Sequence, residues 1–376
     1  MKKLISAILL LAVSVTLFAQ VEKKEYTAFV GETTVPHQGS YTPSFKVDGS
    51  NAKIHNVILM IGDGMGIAAV NAGMYANGGE LTLTNLHKFG YVRTQSANNF
   101  TTDSAASGTA YACGIKTNNN FLGVGPDQSS VANLPEKLEP LGFACGVLST
   151  DDLNGATPAA FFAHQTHRNK TPQIWADLAN SHLVFASAGS MSVFDKQTEE
   201  TRNAILGKFT LVDKLEDVAK MAPPVLFLPP SVKLDERGDY LPATTRQAIE
   251  LLAAQKGKGF FLMVEGARID KEEHSNNTAG FVREMLDFDK AVEEAIRFAE
   301  KDGHTLVIIS ADHETGGVAL RGGRPAEGYI QTAFAATSHT AIAVPLFVYG
   351  PHSDEFCCFQ ENSDVSNKIF ELLTAK

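Results

Sequence analysis

The chain is poor in cysteine, in basic charge and in long apolar runs beyond its first twenty residues, and each shortage excludes something. The four cysteines, Cys113, Cys145, Cys357 and Cys358, include no C-x-x-C pair, which argues against a thiolate zinc site. Export would permit disulfides, and four cysteines allow three full pairings among which sequence cannot choose. The plainer reading is that some or all are buried free thiols. Lysine and arginine number 32 against 42 aspartates and glutamates, a formal net charge of -10. That balance argues against nucleic acid or an anionic membrane surface as the main partner. An anionic small molecule stays open, because a bound metal can invert the local field. After the first twenty residues no stretch is apolar for the ~20 residues a membrane span needs. Internal repeats and low-complexity tracts are also missing.

The start of the chain differs from the rest. Lys2 and Lys3 precede an almost wholly apolar run, Leu4 to Phe18, and Ala19 is a small residue suited to cleavage. Residues 1–19 read as a secretory signal peptide, so the protein is expected to be exported, to the periplasm or the medium. The segment contains no cysteine, which disfavours a lipid-anchored start; an uncleaved N-terminal anchor is the alternative. The remaining 20–376 form one domain-sized stretch in a chain that is 44% hydrophobic, enough for a single large core. A small insertion is possible around 169–242, which is less regular and contains Pro223-Pro224 and Pro229-Pro230.

Short apolar runs alternate with helical patterns along this stretch. Asn56 to Ile61, Phe143 to Leu148, Phe260 to Val264, Thr305 to Ile309 and Val344 to Tyr349 read as buried strands. Residues from about Ala279 to Glu300 carry Phe281, Met285, Phe288, Ala291 and Ala295 at helical spacing, with Gly303 as a stop. Thr244 and Gln247 resemble a capping box before Ala248 to Ala253. Val21 to Asn51 is polar and reads as irregular surface chain. The alternation predicts an α/β three-layer sandwich, a mostly parallel central sheet with helices on both faces.

Chemistry gathers just after the predicted strands, where ligands bind in open α/β sheets. Asp63 follows the first strand, Glu265 and Asp270 follow another, and Asp312 and His313 a third. One acidic residue in such a place is usually a cap or turn residue; three such places with histidines in the same segments are hard to explain so. Asp270 and His274 are four apart and share a face if helical. His339 lies before the last strand and, alone, fits an ordinary surface histidine. Carboxylate with imidazole suits zinc, and an all-oxygen set suits magnesium. Ser104, in Thr102-Asp103-Ser104-Ala105-Ala106, sits where a helix begins that ends near Gly114. Unpaired N–H groups and the helix dipole there would stabilise a phosphoryl oxygen or an alkoxide. Asp103 or Ser104 as a plain N-cap explains the same residues.

Six ordered motifs together resemble the alkaline phosphatase family, from about Asn56 to the C-terminus. They are Ile61-Gly62-Asp63-Gly64-Met65-Gly66; Thr102-Asp103-Ser104-Ala105-Ala106 with Gly114-Ile115-Lys116-Thr117-Asn118; Ala156-Thr157-Pro158-Ala159-Ala160 with Ala163-His164 and Arg168; Val264-Glu265-Gly266-Ala267 with Asp270 and His274; Ala311-Asp312-His313; and Ser338-His339-Thr340. The resemblance implies two zinc ions, one held by Asp270, His274 and His339 and one by Asp63, Asp312 and His313. It implies a magnesium on Asp63, Thr157 and Glu265, a nucleophile at Ser104, and a phosphate-binding arginine at Arg168. It also implies a phosphate monoester as small-molecule substrate, and relatives often form homodimers.

The chain departs from that pattern at one place. The family usually has an aspartate or histidine two residues before the threonine matched by Thr157, and Gly155 stands there instead. The magnesium site is therefore expected to be weakened or altered, with Asn154 or Asp152 as the candidates to substitute through water. Lys271, which follows Asp270 as in some bacterial members, is implied to touch phosphate through water, and its usual acidic partner is expected to be missing. The chain is also shorter than many relatives between Arg168 and Glu265 and between His313 and His339, which implies a more open site. A phosphodiesterase of the same superfamily, or a binding protein without turnover, is the alternative reading. A sulfatase is disfavoured because no Cys-x-Pro-x-Arg or Ser-x-Pro-x-Arg surrounds the nucleophile position.

Overall fold

The apolar run that begins at Asn56 is buried on both sides, and the architecture follows from that. The structure, a computed structural model, describes residues 29–189 and 191–375; the predicted signal segment, 1–19, lies outside them. The strands are β1 (Phe29–Thr34), β2 (Asn56–Gly62), β3 (Lys88–Arg93), β4 (Phe143–Ser149), β5 (Phe185–Ser187), β6 (Thr210–Val212), β7 (Val225–Phe227) and β8 (Gly259–Gly266). They continue with β9 (Thr305–Ser310), β10 (Glu314–Thr315), β11 (Val318–Arg324), β12 (Tyr329–Phe334), β13 (His339–Thr340), β14 (Val344–Tyr349) and β15 (Phe359–Glu361).

Ten of these make one sheet in the order β15-β3-β14-β9-β2-β8-β4-β5-β7-β6. Strand β14 is antiparallel to both neighbours, and every other pair is parallel. Helices Ile67–Ala76, Tyr240–Ala253 and Thr278–Asp302 cover one face; Ser104–Cys113, Ala156–Ala159 and Asn362–Thr374 cover the other. The three-layer α/β sandwich is thus present. Val57 to Ile61 of β2 are wholly buried because both faces are roofed, which is why they read as a continuous apolar run rather than an alternating one. Each such side chain contributes roughly 1.5–3 kcal/mol by leaving water.

Helix Thr278–Asp302 is nearly as expected. Asn277 caps it by accepting from the Gly280 N–H, its apolar stripe is buried, and Gly303 ends it in the left-handed region at φ 76°. The segment 169–242 supplies β5, β6 and β7, which extend the main sheet beyond β4. Among the described residues no helix is long and apolar enough to cross a membrane.

Some expectations change. Thr244 is no cap: helix Tyr240–Ala253 starts four residues earlier, and Thr244 lies buried inside it. Residues 29–34, expected to be irregular, pair with β12 in a three-stranded antiparallel sheet with β11. All four cysteines are free; Cys113 and Cys145 are buried, but Cys357 and Cys358 are exposed.

Candidate active site

Four adjacent strands end in one row. Ser149 of β4 pairs with Glu265 of β8, Glu265 pairs with Ile61 of β2, and Ile61 pairs with Ser310 of β9. Two residues beyond this row, at the carboxyl edge, stand Asp151, Asp63 and Asp312. A parallel register therefore brings together carboxylates that are far apart in sequence. Gly64 continues the turn after Asp63 at φ 77°, and a Cβ there would come 2.9 Å from the Asp270 Cα. That close approach lets Asp270 N–H donate to the Asp63 carbonyl at 2.9 Å. It places helix Arg268–His274 beside the strand ends, with Asp270 and His274 on one face as their spacing predicted.

His339 arrives by a different route. The two-residue ladder of β10 and β13 pairs Thr315 with His339, and the His313 and His339 rings stack with centroids 3.5 Å apart. His274 Nδ1 donates to the Thr337 carbonyl at 2.7 Å and His339 Nδ1 to the Thr102 carbonyl at 3.0 Å. Each Nε2 is thereby left as a lone-pair donor pointing inwards. The two Nε2 atoms are 3.1 Å apart, and each faces Asp270 Oδ1, at 3.3 Å from His274 and 3.6 Å from His339. On the other side, His313 Nε2 is 3.4 Å from Asp63 Oδ1 and 3.1 Å from Asp312 Oδ2. Both of those oxygens are buried without a hydrogen bond.

Electron-pair donors facing one another in this way fit cations. Two groups of donor atoms, Asp270 with His313 and His339, and Asp63 with Asp312 and His313, are each close enough to share one ion. Electrostatics agree. Burial pushes the Asp63 carboxyl well up, and the charges of Asp312, Asp270 and Glu265 push it further. Burial likewise raises Glu265, to about 8, against the hydrogen bond from Ser149. Asp270 is held far below its usual range: burial works against this, but the His274 hydrogen bond and the His313 and His339 charges outweigh it. Carboxylates crowded this closely repel unless positive charge sits between them.

Ser104 begins helix Ser104–Cys113, and Asp103 is its N-cap, accepting from the Ala106 N–H. Ser104 Oγ is 3.2 Å from His313 Nε2. The helix is fixed to β9 by Ser107 Oγ, which donates to the Asp312 carbonyl at 2.7 Å, and by Tyr111 Oη, which donates to the Ala311 carbonyl at 3.0 Å. Asp103 also accepts from the Asn120 N–H and from Arg168 Nη1. Both readings of this motif hold together: Asp103 caps, and Ser104 faces the donor cluster.

Thr157 and Glu265 lie on the far side of Asp63. Glu265 accepts from Ser149 Oγ, and the buried Thr157 hydroxyl lies beside it without a well-formed hydrogen bond. The expected substitutes for a side chain at 155 are engaged elsewhere. Asn154 Oδ1 accepts from Trp175 Nε1 at 3.0 Å, and the Asp152 carboxylate packs against Gly189. Lys271 does have an acidic partner, Asp151. The motif reading missed Asp151, although it follows a predicted strand as Asp63 and Asp312 do.

Carboxylates and imidazoles converging at the carboxyl edge of a parallel sheet, beside a serine at a helix N-terminus, make a site that fits an α/β hydrolase using metal ions. Comparisons with known proteins narrow the class. The sequence profile described as Alkaline phosphatase matches residues 54–199 and 231–332. Alkaline phosphatase 4 of Bacillus subtilis (strain 168) is 30% identical, over 86% of this chain and 89% of that one. The solved alkaline phosphatase from the Antarctic bacterium TAB5 superposes with a TM-score of 0.80 at 34% identity, covering 86% of this chain and 99% of that one. A variant of that enzyme, with Mg bound in its M3 site, superposes equally well at 32% identity, over 87% and 99%. The chain belongs to the alkaline phosphatase family and is a phosphatase of that superfamily.

Proposed function

We propose that the chain is an exported phosphomonoesterase that works through a covalent phosphoserine at Ser104. The observation that carries this reading is the position of Ser104 Oγ, at a helix N-terminus and 3.2 Å from the histidine that the two donor groups share. Zinc would be held by Asp270, His274 and His339 and by Asp63, Asp312 and His313, and magnesium by Asp63, Thr157 and Glu265; bound, they would supply the positive charge that the attacking and leaving oxygens need.

The chain's own residues do the rest. Phosphoryl transfer asks mainly for positioning and charge stabilisation. Ser104 Oγ attacks phosphorus as its hydroxyl proton passes to solvent, the Oγ–P bond forms, the ester P–O bond breaks, and the leaving alcohol takes up a proton from solvent. Water then attacks the phosphoserine, releasing phosphate and restoring the serine. The N–H groups of Ser104 and Ala105 precede any intrahelical acceptor and are placed for a phosphoryl oxygen. Arg168 supplies a planar fork for two phosphoryl oxygens, each charge-assisted bond contributing roughly 1.5–3 kcal/mol. A fork of that kind favours a monoester, which has a terminal phosphoryl group, over a diester.

The test is hydrolysis of a chromogenic phosphomonoester and of a matched diester by the mature protein with zinc and magnesium, beside Ser104→Ala. Zinc-dependent monoester turnover that Ser104→Ala abolishes, with acid-stable phosphate trapped on Ser104, is the expected result. Preference for the diester would point to a phosphodiesterase, and phosphate binding without turnover to a binding protein. Export is tested by N-terminal sequencing of the protein recovered outside the cytoplasm, where the chain should begin near Gln20.

A further inference from the structure

We propose that Asp151, delivered to the site through the room that Gly155 leaves, is the carboxylate that completes this chain's magnesium site, with Lys271 as its counter-ion. The proposal rests on the metal reading above and concerns Asp151, which no motif assigns.

The first observation is register. Asp63 and Asp312 each stand two residues beyond the row formed by Ile61 and Ser310, and Asp151 stands two beyond Ser149 in the same row. The second is a hydrogen-bonded path. Asp151 N–H donates to Ser149 Oγ at 2.8 Å, and Ser149 Oγ donates to Glu265. One hydroxyl therefore ties the Asp151 backbone to the Glu265 carboxylate. The third is the ion pair with Lys271, which holds Asp151 on the side where Lys271 follows Asp270.

Gly155 explains how Asp151 fits. Its backbone, at φ -55° and ψ 147°, is open to any residue, so conformational freedom is not the reason for glycine here. Space is the reason. A Cβ at 155 would come 2.8 Å from Asp151 Oδ2 and 2.8 Å from the Asp152 carbonyl. Any side chain at 155 would evict the Asp151 carboxylate, and the Asp152 backbone leaves little room to yield. Positions 151 and 155 are therefore alternative origins for one carboxylate.

A polar group beside the cluster points to a ligand. The Thr157 hydroxyl is 1% exposed and has no well-formed hydrogen bond. With Asp63 and Glu265 it makes an all-oxygen set, which suits magnesium rather than zinc. Magnesium keeps several of its waters, and Asp151 acts as a positioning residue that accepts hydrogen bonds from them. Such outer partners typically matter by about 10–100-fold in metal affinity.

The experiment is calorimetric titration of magnesium into the zinc-loaded mature protein, with bound zinc and magnesium counted by atomic emission. Asp151→Ala should weaken magnesium binding by about 10-fold or more and leave the zinc count unchanged. Gly155→Ala should do the same although it removes no ligand. The double variant Asp151→Ala/Gly155→Asp should bind magnesium more tightly than Asp151→Ala, because the planted carboxylate starts where the old one ended. Magnesium affinity unchanged in Asp151→Ala, or a double variant no better than that single one, would overturn the proposal. The readout needs no turnover. Asp151-dependent binding in a protein inert to phosphomonoesters would sink only the phosphomonoesterase reading, and active enzyme indifferent to Asp151→Ala would sink only this one.

Discussion

Arg168 Nη1 donates to Asp103 Oδ2 at 3.2 Å, so the residue that caps the Ser104 helix also holds the arginine proposed to receive phosphate. In the proposed mechanism the pair would link substrate binding to the orientation of Ser104, which makes Arg168 the first residue to vary. Arg168→Lys keeps the charge and loses the fork. Loss of one charge-assisted hydrogen bond, roughly 1.5–3 kcal/mol, corresponds to about 10–100-fold in kcat/KM on a phosphomonoester. Inhibition by inorganic phosphate should weaken in parallel. A lysine variant with unaltered kcat/KM would show that the guanidinium does not grip the substrate.

Metal removal should cost stability as well as activity. Asp63, Asp312, Glu265 and Asp270 act on one another in a buried space, and chelation leaves them to repel. Zinc that binds only the folded chain stabilises by about 2.7 kcal/mol at one hundred times its Kd. The Tm of the chelated protein should therefore rise steadily with added zinc. A Tm indifferent to both chelator and zinc would argue against resident metals.

A pH effect separate from the metals comes from His164. Its Nε2 is 2.8 Å from Glu136 Oε1, and the hydrogen bond that the ring donates to Glu136 raises the imidazole pKa despite burial. A histidine raised in the folded state stabilises fully below its unfolded pKa, about 6.5, and loses that contribution as pH rises through the higher folded value. Denaturant unfolding should show the wild type losing on the order of 1 kcal/mol over that window, and His164→Gln should not. Parallel pH profiles for the two proteins would remove the pair from the account.

Arg237 is wholly buried and pairs with both Glu284 and Asp287 of helix Thr278–Asp302. Arg237→Met removes the cation that the two buried carboxylates share; Glu284 keeps Arg268, whose Nε is 3.4 Å away, and Asp287 loses its ion pair. The expected loss is about 3–5 kcal/mol, seen as a lower denaturant midpoint. The triple replacement Arg237→Met/Glu284→Leu/Asp287→Leu should recover most of it, because it removes the stranded charges too. A single variant as stable as the wild type would mean that solvent reaches the pair.

Strands buried on both faces were readable because they are continuous apolar runs: Asn56 to Ile61, Phe260 to Val264 and Thr305 to Ile309 each fall inside the observed strand. Strands β5, β6 and β7 have three residues each, too few for a period to show. Thr244 misled because a capping pattern is a local sequence signal, whereas the helix start at Tyr240 is decided by burial of Tyr240 and Leu241. The donors Asp63, Asp270, His274, Asp312 and His313 were legible from strand ends and helical spacing. His339 was not, since a two-residue ladder brings it in. Asp151 obeyed the strand-end rule and lay outside every motif, and only the three-dimensional register gives it a reason.

The placement of the outer strands has a practical side. The donors gather at the carboxyl edge of the middle of the sheet, while residues 219–222, exposed and just ahead of β7, sit at the amino edge of its outer part. A linker or reporter grafted there would meet solvent and leave the edge that carries the donor cluster facing away. Immobilised through that loop, the protein would present its reactive side outward to whatever solution flows past.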